Sequence, residues 1–273
     1  MLYVCPTPIG NLEDITLRVL RVLQEVDLIL AEDTRRTAQL LNHYEISKRL
    51  ESFHEHNEKE KTEEVLQRLQ QGEKIALVSD AGMPGISDPG GWLIRRAIDE
   101  GLPCEILPGA NAALVAYLQS GFPSPQFAFY GFLPRKKGQR QAELASLKDL
   151  AFPIIFYEAP HRLLVTLNDL LLAFGDRKAS VSRELTKIYE ETLRGTLSEL
   201  IGHFSEHKPR GEFVVTVDGA PQETLEITED DIIRKLTELL ESGLSRKSAV
   251  EQVSGEYRLP RNKIYEIALQ IKL

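Results

Sequence analysis

The sequence has no long apolar run and only two cysteines. No stretch approaches the roughly 20 apolar residues that a membrane-spanning helix needs. The opening MLYVCPTPIG has neither the basic segment nor the apolar core of a signal peptide. Cys5 and Cys104 stand in strand-like runs without a CxxC pair, which favours buried thiols over a disulfide or a metal site. We therefore expect a cytoplasmic protein with no membrane segment.

An excess of positive charge is also missing. The formal net charge is −8, with 33 Lys and Arg against 41 Asp and Glu. This balance argues against a protein that coats nucleic acid through a generally basic surface, but it leaves room for local basic patches. The 273 residues, of which 42% are hydrophobic and 27% charged, are typical of a globular chain with two or three domains.

The order of apolar runs predicts an α/β fold. In the first half, LYVCPTPIG, DLILAED, KIALVSD and PCEILPG predict strands separated by amphipathic helices, which indicates a parallel sheet covered on both faces. The segment FPSPQ at 122–126 interrupts this pattern, since its prolines favour extended backbone. We predict an α/β domain at 1–122, a second at 123–222, and a small domain of three short helices at 223–273.

Residues 79–90, SDAGMPGISDPG, form a glycine-rich loop between a predicted strand and a predicted helix. Loops at this place bind ligands in open α/β sheets, and glycine lets a ligand approach the backbone. The pattern is neither GxGxxG nor GxxxxGK[ST], so it indicates neither a dinucleotide nor an ordinary phosphate loop. The alternative is a tight turn capped by Asp80 and Ser87. Because PTPIGN, LPGANA and FYEAPH follow three other predicted strands, we favour a cleft.

Ten stretches in order along nearly the whole chain carry a resemblance to a known family. Besides the loops above and the helical tail they are AEDTRRT, FHEHNE, YGFLPRK, SRELTKIYEE and RGEFVV. They resemble the tetrapyrrole methylase superfamily of S-adenosylmethionine-dependent methyltransferases. The similarity is greatest to the branch that methylates the ribose 2′-hydroxyl of a cytidine in the decoding region of 16S ribosomal RNA. PTPIGN stands where the corrin and porphyrin enzymes carry a GPGD-type turn.

The resemblance implies two α/β domains of the tetrapyrrole methylase type with S-adenosylmethionine in the cleft between them. It also implies a small helical C-terminal domain, no metal, and a homodimer acting on the small ribosomal subunit. The implied donor contacts are Pro8, Asp80, Ala81, Gly82, Met83, Ile86, Asn111, Ala112, Glu158 and Leu185. The charge of the donor agrees with this set, since a cationic sulfonium suits a carboxylate such as Asp80 better than a cradle of N–H groups.

Candidate catalytic residues, which would act on the ribose hydroxyl that accepts the methyl group, stand after other predicted strands. A ribose hydroxyl becomes a good nucleophile when a base or hydrogen-bond acceptor draws on its proton. We hypothesise that Lys187, Glu184 or His54 assists this step. The alternatives are a surface ion pair for Glu184 and Lys187, and ordinary surface polarity for His54.

Several basic residues are candidates for RNA contacts. PRKKGQR at 134–140 predicts a flexible phosphate-contacting loop, or else a solvated run, and its basic residues are Arg135, Lys136, Lys137 and Arg140. Arg35 and Arg36 could also bind phosphates, although Asp33 and Arg35 are equally explained by a helix cap. The tail from 244 to 273 carries six Lys or Arg against three Glu. We predict that it docks RNA through Arg246, Lys247, Arg261 and Lys263.

Two alternative functions remain at this point. A corrinoid or porphyrin precursor methyltransferase would share the fold and the donor, but its substrate needs neither the basic loop nor the basic tail. A DNA-binding regulator with a ligand-sensing α/β domain is suggested by the tail, whose pattern resembles a helix-turn-helix. That reading leaves most of the chain unexplained, so we favour the RNA enzyme.

Overall fold

The computed structural model describes residues 1–221, 228–257 and 259–271. The chain divides into two compact units, Met1–Ala220 and Pro221–Leu273. The first unit contains two five-stranded sheets and eight α-helices, and the described part of the second contains three α-helices. The predicted α/β fold with a small helical end is confirmed.

The first sheet is parallel throughout, in the order β3-β2-β4-β1-β5. Its strands are β1 (Leu2–Val4), β2 (Leu28–Ala31), β3 (Leu50–Ser52), β4 (Ile75–Val78) and β5 (Cys104–Ile106). The helices are α1 (Leu17–Glu25), α2 (Thr34–His43), α3 (Glu58–Gln70), α4 (Gly91–Asp99) and α5 (Ala112–Ser120). Separate apolar clusters cover its two faces, and β2 and β4 are buried along their whole length. This is the predicted doubly covered sheet.

The second sheet is mixed, in the order β6-β7-β10-β8-β9, and only β6 and β7 run parallel. Its strands are β6 (Ala128–Phe132), β7 (Ile154–Glu158), β8 (Lys178–Arg183), β9 (Glu191–Thr196) and β10 (Phe213–Val217). The helices are α6 (Lys137–Leu147), α7 (Leu163–Phe174) and α8 (Leu197–Glu206). Strand β9 was not predicted. Its sequence ETLRGT is largely polar and has no apolar run, and the strand pairs with β8 at the edge of the sheet.

Helix α5 follows the last strand of the first sheet but packs on the second. Its Ala116 and Tyr117 share an apolar cluster with Ile155, Leu185 and Val214. The helix therefore joins the two sheets and brings their loops together. The boundary predicted at 122/123 follows α5 in the chain and stays a prediction, and the one predicted at 222/223 lies outside the described residues.

The helical unit has a core of its own. Helices α9 (Glu229–Glu241), α10 (Arg246–Tyr257) and α11 (Arg261–Gln270) bury Ile232, Leu236, Ala249, Val250, Val253, Ile264 and Ala268 against one another. Helix α9 begins at a capping box formed by Thr228 and Asp231. Two basic residues of the tail, Arg258 and Lys272, lie outside the described residues. Across the described segments of both units, no helix combines the length and the apolar character that a membrane span requires.

Candidate active site

A cavity of about 340 Å³ lies between the loops of the two sheets, and we call it the first cavity. Its lining includes most of the predicted donor contacts, which are Ala81, Gly82, Met83, Ile86, Asn111, Ala112, Glu158 and Leu185. Ile9, Asp88, Phe132, Tyr157, Glu212 and Val214 complete much of the remaining wall. Residues far apart in the sequence thus meet in one cavity of a size typical for small-molecule sites.

The glycine-rich loop needs its glycines for conformation and for space. Gly82 and Gly90 have φ of 80° and 124°, a region that glycine enters without strain. A Cβ on Gly90 would lie 2.5 Å from Leu77 Cδ2, so the loop end packs directly on β4. Glu58 Oε1 then accepts the N–H groups of Gly90 (2.8 Å) and Trp92 (3.2 Å). The first residue of α3 therefore caps α4 and holds the loop that lines the first cavity.

A second cavity, of about 250 Å³, adjoins these loops. It is lined by Thr7, Pro8, Leu12, Arg36, Thr37, Gln39, Leu40, Ser79 and Asp80. Pro8 and Asp80 line this second cavity and not the first, and their role as donor contacts stays a prediction. The reason for this placement is local: Thr7 and Gly82 form an antiparallel bridge, and successive residues of extended backbone point to opposite sides.

Asp88 lines the first cavity and was missed among the predicted site residues. Burial raises its pKa to about 6, and the nearby carboxylates of Glu32 and Asp80 act in the same direction. Both aspartates of SDAGMPGISDPG were visible in the sequence. Only the packing shows that Asp88, and not Asp80, is the aspartate in this cavity.

Glu158 lines the first cavity, and both of its carboxylate oxygens accept hydrogen bonds from other groups of the protein. Its side chain is fully buried, and it accepts hydrogen bonds from the amide of Ala159 (2.9 Å) and the hydroxyl of Thr166 (2.5 Å). Arg162 Nε lies 3.4 Å from its Oε1. The charge of Glu158 is thereby balanced, and the carboxylate fixes the end of β7 against α7.

The predicted catalytic residues Glu184 and Lys187 lie in a strained turn beside the first cavity. Glu184 and Thr186 have φ of 48° and 66°, which is uncommon for residues with a Cβ. Leu185 between them is buried and lines the cavity. A Cβ on Gly10 would lie 2.4 Å from Lys187 Cγ, so a glycine lets the loop after β1 contact this turn.

Lys187 is held by two carboxylates. Its Nζ lies 3.1 Å from Glu184 Oε1 and 3.2 Å from Glu212 Oε2. Partial burial by itself lowers the pKa of Lys187, but the hydrogen bonds and charges of Glu184 and Glu212 outweigh it and raise the pKa. The lysine is therefore an ammonium group at neutral pH, which is unfavourable to the hypothesis that it takes a proton from the acceptor.

His54 lies apart from the other two candidates. It follows β3, its amide donates to Asn57 Oδ1 (2.8 Å), and it lines neither of the two cavities. Its Nδ1 is buried and has no hydrogen-bond partner within the described residues. The structure therefore brings Lys187 and Glu184 together beside the first cavity, where Lys187 pairs with the lining residue Glu212, but does not bring His54 there.

The comparisons with known proteins agree with this geometry. The family model for tetrapyrrole (corrin/porphyrin) methylases matches residues 1–201. A ribosomal RNA small subunit methyltransferase I from Halalkalibacterium halodurans is 46% identical over 97% of this chain and 93% of that protein. The chain belongs to the tetrapyrrole methylase family. The recognition of this family from the sequence is thus confirmed, and so is the assignment as a methyltransferase.

Further members of the family extend the comparison. The proteins of the same name from Synechocystis and Thermotoga maritima are 44% and 52% identical. The first match covers 100% of this chain and 98% of the relative, and the second covers 80% and 98%. A solved uroporphyrin-III C-methyltransferase from Thermus thermophilus, complexed with S-adenosylhomocysteine, superposes with a TM-score of 0.58. It covers 83% of this chain and 99% of that one at 16% identity, which shows a shared fold.

Arg140 was predicted as a phosphate contact, and the structure shows that this is wrong. Its guanidinium is buried and binds Asp169 Oδ2 through both Nε and Nη2 at 2.6 Å. It also donates to the carbonyl oxygens of Pro134 (3.3 Å) and Arg135 (3.0 Å). Because α6 begins at Lys137, the residues up to 140 form a helical turn and not a flexible loop, and this turn points Arg140 inward.

The other predicted RNA contacts stay predictions. Arg135, Lys136 and Lys137 are exposed, as are the four basic residues of the tail that the structure describes, Arg246, Lys247, Arg261 and Lys263. Asp33 caps α2 and binds Arg35 with both carboxylate oxygens, at 3.0 and 2.7 Å. The capping role weighed for Asp33 is therefore present. Within the part of the chain that the structure describes, no three metal-ligating side chains cluster, and metal independence stays a prediction.

Proposed function

We propose that this protein transfers a methyl group from S-adenosylmethionine to the ribose 2′-hydroxyl of a cytidine in the decoding region of 16S ribosomal RNA. The observation that carries the proposal is the similarity, over nearly the full length of both chains, to proteins named ribosomal RNA small subunit methyltransferase I. The solved structures named for uroporphyrin-III methylation match at 16–20% identity. A porphyrinoid acceptor is therefore the weaker alternative.

The first cavity supports S-adenosylmethionine as the donor. Met83, Ile86 and Leu185 offer apolar contacts, and Asn111 begins α5 with its side chain accepting the N–H of Leu114 (3.2 Å). S-adenosylmethionine supplies an electrophilic methyl group on a cationic sulfur. The carboxylate of Asp88 is the group in this lining that suits such a charge, because it is partly buried and a low-dielectric surrounding strengthens the attraction.

The cluster of Lys187, Glu184 and Glu212 supports an acceptor site beside the donor. Glu212 lines the first cavity, and Lys187 is tied to it through an ion pair. As an ammonium group, Lys187 can hold the acceptor ribose or a neighbouring phosphate through hydrogen bonds. The proton of the hydroxyl then passes to a carboxylate of this cluster or to water. Glu184 fits that role better than His54, because its Oε1 accepts the N–H of the cavity-lining Glu212 (3.0 Å), whereas His54 lines neither cavity.

The exposed basic residues supply local positive charge for RNA in an acidic protein. Arg135, Lys136 and Lys137 lie at the start of α6, and the tail of the helical unit adds Arg246, Lys247, Arg261 and Lys263. This distribution supports a structured particle, the small ribosomal subunit, as the substrate, which the protein would contact through local basic patches. A homodimer and a cytoplasmic location belong to the same proposal.

Methyl transfer from tritiated S-adenosylmethionine tests the function. Purified protein would be offered small subunits that lack the modification, free small-subunit RNA, and a porphyrinoid precursor. We expect label in the RNA of the subunits, recovered after alkaline hydrolysis as an alkali-stable dinucleotide, which marks ribose methylation. Label in the porphyrinoid alone would overturn the proposal.

A lysine variant tests the acceptor site. We expect Lys187→Ala to lower turnover by about 100-fold, while Lys187→Arg keeps part of it because the positive charge remains. Lys178→Ala is the matched control, since Lys178 is an exposed lysine at the other end of β8. A Lys187→Ala enzyme with full turnover would remove this lysine from the reaction.

A further inference from the structure

The second cavity has walls of two kinds. Pro8, Leu12 and Leu40 provide apolar surface, and Arg36, Gln39 and Asp80 provide polar groups. Arg36, Gln39 and Leu40 fall three and four positions apart on α2, so they share one face of that helix. Apolar walls suit the faces of a planar ring, and the polar groups suit its hydrogen-bonding edge, which is how proteins bind single unstacked bases.

Arg36 and Asp80 form an oriented pair of donor and acceptor. Arg36 Nη1 lies 3.3 Å from Asp80 Oδ2, and Asp80 Oδ1 accepts the N–H of Asp33 (3.0 Å). The Asp80 side chain is 23% exposed, so its carboxylate is held by the start of α2 and still reaches the cavity. The negative charge of the Asp80 carboxylate repels a phosphate group, so a phosphate is an unfavourable ligand for this cavity. The Asp80–Arg36 pair instead matches the edge of a ring that has an amino group next to hydrogen-bond acceptors, and cytosine has such an edge.

The two cavities are close enough to serve one nucleotide. The amide groups of Thr7 and Gly82 exchange hydrogen bonds of 2.9 Å, and the residues that flank this bridge line both cavities. Pro8 lines the second and Ile9 the first. Asp80 likewise lines the second cavity, and Ala81 the first. A base in the second cavity would therefore have its ribose, one glycosidic bond away, beside the first.

We propose that the second cavity binds the unstacked cytosine base of the acceptor nucleotide and that Arg36 and Asp80 recognise its edge. This proposal rests on the proposed function. The Asp80 carboxylate accepts a hydrogen bond from the cytosine amino group, and the Arg36 guanidinium donates hydrogen bonds to the acceptor atoms of the ring edge. The wall formed by Leu12 is anchored because the Tyr44 hydroxyl donates to the Leu12 carbonyl (2.6 Å). Uracil carries a carbonyl where cytosine has its amino group, so Asp80 would face an acceptor and reject it.

The test uses the full-length protein and small subunits that carry either cytosine or uracil at the target position. We expect the natural protein to prefer cytosine by about tenfold or more in kcat/KM, because a matched base contact gives discrimination of that order. Asp80→Asn should reduce the preference to about threefold or less, since an amide can donate to the uracil carbonyl. Arg36→Ala should lower kcat/KM by about tenfold on cytosine subunits.

Two measurements separate this proposal from its alternatives. Arg21→Ala is the matched control, because Arg21 is an exposed arginine paired with Glu25 on α1, away from both cavities. Equilibrium binding of S-adenosylmethionine should be unchanged in Asp80→Asn and Arg36→Ala. Loss of donor binding in either variant, or an unchanged base preference in Asp80→Asn, would overturn the proposal. Failure of the natural protein to methylate any subunit would instead overturn the proposed function.

Discussion

At the scale of single residues, Asp88 has the most telling environment in the first cavity. Its pKa rises from 3.8 to about 6 on folding, chiefly through burial. Between these two values the folded state binds more protons than the unfolded state, so stability falls as the pH rises through this window. Near neutral pH the folded protein therefore keeps a costly negative charge in the cavity. A cationic donor would offset that cost.

We predict that Asp88→Asn removes a pH dependence of donor binding. In the natural protein, the affinity for S-adenosylmethionine should rise severalfold from about pH 5 to about pH 7.5, as Asp88 ionises. The affinity for S-adenosylhomocysteine, which has a neutral sulfur, should change little. Isothermal titration calorimetry of both ligands at both pH values provides the check. Asp88→Asn should also have a higher melting temperature than the natural protein at pH 7.5 but not at pH 5. If the donor affinities of the two proteins changed equally with pH, this role of Asp88 would be contradicted.

At the scale of elements, the contact between α3 and α4 fixes the position of the glycine-rich loop at residues 79–90. We predict that Glu58→Ala costs about 1 kcal/mol of unfolding free energy, because two N–H groups at the start of α4 lose their acceptor. Donor affinity should fall as well, since the loop lines the first cavity. Glu60→Ala, an exposed glutamate in the same first turn of α3, is the control. Urea unfolding and donor titration of both variants would check this, and equal behaviour would refute it.

The contact between α6 and α7 rests on a buried ion pair. We predict that Arg140→Ala costs about 3 kcal/mol of unfolding free energy, because it leaves Asp169 buried without its partner. Lys136→Ala, which removes an exposed cation next to the same helix, should cost less than about 0.5 kcal/mol. Thermal and urea unfolding measure the difference. A weakly destabilised Arg140→Ala protein with poor RNA affinity would restore the original RNA-binding prediction.

At the scale of the whole molecule, the helical unit is separable from the α/β unit. Each has its own apolar core. The Thermotoga maritima relative matches over 218 residues, which is 98% of that protein and close to the length of the α/β unit. This relative therefore has no counterpart to about a fifth of this chain.

We predict that removal of residues 223–273 leaves donor binding within about twofold of the full chain, because every residue that lines the first cavity belongs to the α/β unit. The Kd for small subunits should rise by about tenfold, since the deletion removes five described basic residues that are exposed, Arg234, Arg246, Lys247, Arg261 and Lys263. Calorimetry and filter binding, repeated at two salt concentrations, would measure both effects. Parallel loss of donor and subunit binding would count against a docking role.

The sequence by itself determined the parallel first sheet, the helical end, the family, and eight of the residues that line the first cavity. These follow from local patterns: apolar runs of strand length, glycines before a helix, and motifs in a fixed order. Only the tertiary structure decided that Asp88 lines the first cavity while Asp80 lines the second, because a bridge between distant loops orients them. It also decided that Arg140 is buried and that the polar segment ETLRGT forms β9. Each depends on a partner remote in the chain, Asp169 for Arg140 and the edge of β8 for β9, and local pattern carries no information about such partners.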